Sequence, residues 1–194
     1  MKKIFFLFLA LVSIQAIYGQ KGYSVINYSM GFSTGDFNEY VDQVSYRGVN
    51  LEFYWNVKPN WEAGLEVGWN VFYAKEDKKV YTEGTQSISG VQYRYTNAVP
   101  IIVGARWRRT GGRTEPYLGG GLGTTSVNRS TDFGLYRIYN NTWQFCLRPE
   151  AGLIYKLSET SGLNAGIKYY ANFENDDLSA QTYFTVNVGF AFAF

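Results

Sequence analysis

The 194-residue chain has no histidine, one cysteine and four prolines. Without histidine there is no imidazole to move a proton near neutral pH and no imidazole to hold a metal. A serine with a lysine base remains possible chemistry, but no Ser-x-x-Lys pattern stands at a convincing position. The lone Cys146 cannot close an internal disulfide and is a poor metal ligand by itself. No catalytic, cofactor-binding or metal-binding residue is therefore expected, and no enzyme. Beyond the N-terminus no apolar run approaches the ~18 residues of a spanning helix, which excludes a helical membrane protein. A charge surplus is also missing. Lys plus Arg number 18 against 16 Asp plus Glu, and loss of Lys2 and Lys3 with the leader described below makes the mature chain neutral. Nucleic acid is not an expected partner, because phosphate binding needs a basic excess.

What is present begins with Met1, Lys2 and Lys3, an apolar run from Ile4 to Val12 and small residues from Ser13 to Gly19. That order predicts a secretory signal peptide over residues 1–19, with Ala16 as the alternative cleavage point. No cysteine lies nearby to carry a lipid anchor. Residues 20–194 form one domain, with no second module expected after Phe194. Aromatic residues make up 19% of the chain, and many of them fall in segments that alternate apolar with small or polar side chains. Successive residues of a strand face opposite ways, so such segments are strands with one greasy wall and one polar wall.

The alternation predicts eight of them. Ile26, Tyr28, Met30 and Phe32 mark the first, over Tyr23 to Thr34. Val49, Leu51, Phe53, Trp55 and Val57 mark the second, over about Val44 to Val57. The third runs from Trp61 through Leu65, Val67 and Trp69 to Tyr73, and the fourth over Ile88 to Arg108. The fifth, Glu115 to Val127, is rich in glycine and ambiguous in facing, with Leu118 and Leu122 placed outward. The sixth spans Thr142 to Leu157. The seventh carries Leu163, Ala165, Ile167, Tyr169 and Phe173 on one wall. The last, Thr182 to Phe194, alternates Phe184, Val186, Val188, Phe190, Phe192 and Phe194 with smaller residues.

Three short turns alternate with four polar loops, at Gly35 to Gln43, Lys75 to Ser87, Asn128 to Asn141 and Asn175 to Gln181. The expected fold is all-β, an eight-stranded antiparallel up-and-down transmembrane β-barrel whose apolar wall faces lipid. Trp55, Trp61, Trp107, Tyr155 and Phe194 fall near the short turns, and Tyr73, Tyr93, Trp143 and Phe173 near the loops, as two interfacial girdles would. A lipocalin-like soluble barrel is the rival, but it would have to crowd Trp, Leu and Val from nearly every strand into a small lumen.

The chain resembles the small outer-membrane barrels of the OmpA and OmpX type. It resembles more closely the outer-membrane β-barrel family abundant in Bacteroidota, through Val99, Pro100, Ile101, Ile102 and Val103 and through Pro116, Tyr117, Leu118, Gly119, Gly120 and Gly121. Phe190, Phe192 and Phe194 resemble the C-terminal assembly signal of such barrels. The resemblance implies an outer-membrane location, lipid as the surrounding partner and the barrel-assembly machinery as a partner during insertion. It identifies a scaffold rather than a reaction. Enzymes built on outer-membrane barrels rely on a histidine, which this chain lacks.

The polar wall holds the remaining candidates. Tight turns place Glu52 opposite Glu66, a repulsive pair unless cations reach it. Lys168 is expected diagonal to Glu150, with Arg148 nearby. A lumen charge network of Glu52, Glu66, Arg106, Arg148, Glu150 and Lys168 would close the bore, since buried charge is tolerated only when matched. Arg106, Arg108, Arg109 and Arg113 also cluster about a short turn, where lipid headgroups or cell wall lie within reach. Phe37, Tyr40, Tyr81, Phe133, Tyr136 and Tyr139 are expected as exposed loop aromatics, a surface for a protein partner. Three roles remain open: a plugged scaffold presenting extracellular loops, a narrow solute channel, and an accessory barrel bound sideways to a larger outer-membrane complex.

Overall fold

The computed structural model describes residues 22–83, 86–133 and 136–193. Strands β1 (Gly22–Thr34), β2 (Gly48–Lys58), β3 (Trp61–Glu83), β4 (Gln86–Arg108), β5 (Thr114–Phe133), β6 (Tyr136–Lys156), β7 (Ser161–Asn172) and β8 (Gln181–Ala193) pair in sequence order, and β8 closes on β1. All neighbours are antiparallel, with registers such as Ile26↔Phe190 at the closure. Over the height that all eight strands share, closure leaves no strand edge with unpaired backbone groups, the condition for a sheet to stand in lipid.

The greasy wall faces out. Leu65, Val67, Leu153 and Ile167 are exposed, as are Leu118, Leu122, Trp61, Trp107 and Trp143. Their alternation partners Asn50, Glu52, Glu66, Asn164 and Lys168 are almost fully buried. Strand five thus has the facing expected of it, and glycine there has a spatial cause. Gly119 lies opposite Arg106, and a Cβ on it would collide with the Arg106 Cβ. Small residues at that place let a guanidinium enter the lumen.

Five strand ends and one short helix depart from expectation. Lys75 to Ser87 and Asn128 to Asn141 are mostly strand: β3 and β4 continue to Glu83 and from Gln86, and β5 and β6 continue to Phe133 and from Tyr136. Polarity there does not mark an end to backbone pairing. β2 begins at Gly48 rather than Val44, with Ser45 joined to Gly31 by an isolated bridge. The segment after β1 contains a five-residue helix, α1 (Asp36–Tyr40). The wall is consequently uneven. β7, β8, β1 and β2 have 11 to 13 residues, close to the ~9–11 that span a bilayer, whereas β3 to β6 have 20 to 23 and stand well above them.

Candidate functional site

The lumen is filled in layers. At the short-turn end Lys156 Nζ lies 2.6 Å from Glu115 Oε1, and the other Glu115 oxygen accepts from Arg108. Arg108 Nη2 is 2.5 Å from Glu62 Oε1, and Arg106 Nε donates to Glu62 Oε2 at 3.0 Å. Arg106 Nη1 then stands 3.5 Å from Glu52 Oε2, the longest link, where neither atom makes a hydrogen bond. Lys168 Nζ donates to both Glu52 Oε1 and Glu66 Oε2 at 2.7 Å. Arg148 follows, 3.3 Å from Glu66 and 2.5 Å from Glu150. These ten residues form one unbranched chain in which every neighbour has the opposite sign, five acids against five bases among the described residues. Matching of this kind is what lets charge stay buried, since removing one partner leaves the full desolvation cost of the other.

Tyrosines brace the chain. Tyr54 donates to Glu150 at 2.8 Å, Tyr23 to Glu62 at 2.5 Å, and Tyr170 to Glu66. The Arg106 guanidinium lies 3.5 Å from the Tyr54 ring centre and 4.3 Å from that of Tyr117, the geometry of cation–π attraction. Above this level amides take over. Asn27 donates to Glu52 at 2.5 Å and to Asn50 at 2.8 Å, and Asn50 reaches Ser29 and Asn187.

The upper lumen holds an apolar cluster among buried amides and hydroxyls such as Asn70, Thr96, Thr125, Gln144, Asn172 and Gln181. Phe72, Ala98, Ile102, Cys146, Tyr170 and Tyr183 form a buried cluster covered by Phe37 and Val41, from α1 and the residue after it. The Phe37 ring meets Phe72 edge-on at 4.9 Å, and Tyr170 stacks on Tyr183 at 4.7 Å. α1 is tied down by Arg94, which donates to the Glu39 and Tyr40 carbonyls at 3.3 and 3.1 Å, and by Arg129, whose guanidinium stacks 3.3 Å from the Tyr40 ring centre.

All six residues of the expected charge network face the lumen, and the ion pairs join them to one another in one contiguous run from Arg106 to Glu150. Four members of the chain lie outside that expectation: Glu62, Arg108, Glu115 and Lys156. Glu62 and Lys156 share the inward parity of Glu66 and Arg148, a signal that could have found them. The sequence groups Arg108 with a turn cluster, but only Arg109 and Arg113 are exposed there, while Arg106 and Arg108 point inward. Lys168 is directly opposite Glu150, not diagonal, and its amine crosses the lumen to Glu52 and Glu66 instead. Phe37 is buried rather than exposed, because α1 folds inward over the mouth. Tyr40 is half-buried and Tyr139 exposed, while the side chains of Tyr81, Phe133 and Tyr136 lie outside the described residues. Phe190 and Phe192 lie on the outer wall, their ring centres 6.3 Å apart, and Phe194 lies outside the described residues.

A closed barrel with an apolar outside and a charged, filled inside is built for hydrocarbon around it, so fold and lumen together define a transmembrane β-barrel. The chain belongs to the outer membrane protein beta-barrel domain family, whose model matches residues 4–192. It is an integral protein of the outer membrane, with lipid against its apolar wall. A search of curated proteins gives no match. Solved structures with this architecture include Ail, the attachment invasion locus protein of Yersinia pestis, in complex with the heparin analogue sucrose octasulfate, at 16% identity and a TM-score of 0.57 over 90% of this chain and 99% of that one. A major outer membrane protein from Thermus thermophilus aligns at 12% identity and a TM-score of 0.57, over 90% of this chain and 99% of its own. Neisserial surface protein A aligns at 14% and 0.52, over 91% and 97%. At these identities the likeness is one of fold.

Proposed function

We propose that this protein is a sealed, non-enzymatic outer-membrane scaffold that acts through its tall end, which faces the cell exterior while the short turns face the periplasm. The observation that carries this reading is the double filling of the bore, an unbranched ten-charge chain below and an apolar cluster capped by Phe37 above. A solute path would have to displace both. The absence of histidine from the sequence and the role of each lumen charge as another's partner support a structural rather than catalytic use. Residues 1–19 are removed on export, and Phe190, Phe192 and Phe194 present the assembly machinery with its recognition strand.

The rim beside β7, β8, β1 and β2 carries exposed Asp36, Glu39, Asp42, Glu174, Asp176 and Asp177. A polyanion such as the heparin analogue held by Ail finds repulsion on that side.

Planar-bilayer recording of the refolded protein tests the seal. Silence at physiological salt is expected, and steady openings in every insertion would refute the plug. Orientation is tested separately by Arg137→Cys in a Cys146→Ser background, with labelling of intact cells by a membrane-impermeant thiol reagent expected.

A further inference from the structure

Above the bilayer the outward face of β3 to β6 changes character without a break in the sheet. Val99, Ser126 and Trp143 share one register row, Trp143 belonging to the upper aromatic belt. The next row reads Val71, Asn97, Asn128 and Asn141, the next Tyr73, Tyr95, Ser130 and Tyr139, and the next Lys75, Tyr93, Asp132 and Arg137. Tyr73 lies 4.9 Å from Tyr95 and 6.4 Å from Tyr93, ring centre to ring centre, and Lys75 Nζ is 6.0 Å from the Tyr93 ring. Tyr139 donates to Asn128, and Arg137 grips Asp132 at 2.6 and 2.7 Å.

The height of this face limits what can lie against it. Six residues above Trp143 correspond to about 20 Å along a strand, or roughly 14 Å of height at a ~45° tilt. The phospholipid headgroup layer adds only about 5–8 Å on each side of the hydrocarbon. The tyrosine and charged rows therefore stand beside whatever rises above phospholipid headgroups while remaining anchored next to the lipid-facing wall.

We propose that this face binds the phosphorylated saccharide headgroup of an outer-leaflet glycolipid. Sugar rings offer C–H faces to flat aromatic surfaces and hydroxyls to amides. Tyr73, Tyr93 and Tyr95 supply the first, and Asn97, Asn128 and Asn141 the second. Among the described side chains of these rows, Lys75 is the cation left for phosphate, since Arg137 is taken by Asp132. The acidic rim on the opposite side of the barrel makes the binding one-sided.

The inference rests on the tall end facing outward, which the Arg137→Cys labelling tests by itself. The protein is refolded into nanodiscs of phosphatidylethanolamine and phosphatidylglycerol, with or without rough lipopolysaccharide, and footprinted with hydroxyl radicals. Glycolipid is expected to protect Tyr73, Tyr93, Tyr95 and Tyr139 several-fold and to leave exposed Tyr46, on the other side, unchanged. The Tyr73→Ser, Tyr93→Ser, Tyr95→Ser triple variant, its folding checked by heat-dependent gel mobility, should retain at least tenfold less glycolipid through detergent exchange. Identical footprints in both discs, or undiminished retention by the folded variant, would overturn the proposal. Protection that rises with protein density in either disc assigns the face to a second copy and overturns it as well. If the variant does not fold, the wild-type footprint decides.

Discussion

The two halves of the lumen solve one packing problem with opposite chemistry. Near the short turns the bore is filled by ten alternating charges braced by tyrosine hydroxyls. Near the tall end an apolar cluster under a short helix packs among uncharged amides and hydroxyls. The apolar half loses contact area when a side chain is trimmed. The charged half loses more, because every acid but Glu150 is paired with a base from another strand, and a single deletion strands a charge far from water. Charge pairing therefore resides below and uncharged packing above.

Lys168→Met breaks the comparison most severely. Glu52 and Glu66, opposite each other on β2 and β3, lose the amine that both hold, and a loss of about 3–5 kcal/mol is expected in urea titrations followed by tryptophan fluorescence. Adding Glu66→Gln should recover part of it, because Glu52 keeps Arg106; a double variant no better than the single would mean that repulsion is not the cause. Phe72→Ala, the matching cut in the upper half, should cost about 3 kcal/mol by leaving a cavity under Phe37. Tyr54→Phe removes one donor from Glu150 while Arg148 remains, for about 1.5 kcal/mol. Arg109→Gln and Arg113→Gln, exposed at the turn beside the chain, should stay within about 0.5 kcal/mol. A large effect there would mean that the turn arginines, not the inward ones, hold this end together.

The strand walls were legible because lipid and lumen sort residues with period two, and Leu65 against Glu66 states the contrast at a single step. Parity also carries Glu52, Glu66 and Lys168 into one space. It could not say how high the strands rise, because above the lipid polar residues such as Lys75 and Asn128 take the outer face and the greasy wall that marks a strand is lost. α1 escaped notice because one turn has room for only Phe37 and Val41 as a four-residue repeat among acids, too short for a periodic signal. Glu115 was hidden by the glycine run that followed it, which blurred the facing of β5. Arg108 was misplaced because closeness to a turn in sequence does not reveal on which side of the sheet a long side chain lies.

Cys146 offers the most direct test of a sealed lumen. It is fully buried in the apolar cluster, above the charge chain and beneath Phe37, and it is the only cysteine. The folded barrel in lipid is exposed to small methanethiosulfonate reagents, one charged and one neutral, added from both sides. No modification is expected over a time in which the heat-unfolded chain reacts to completion. Rapid modification of Cys146 by the charged reagent, in a protein that still runs as the folded barrel, would contradict closure of the bore.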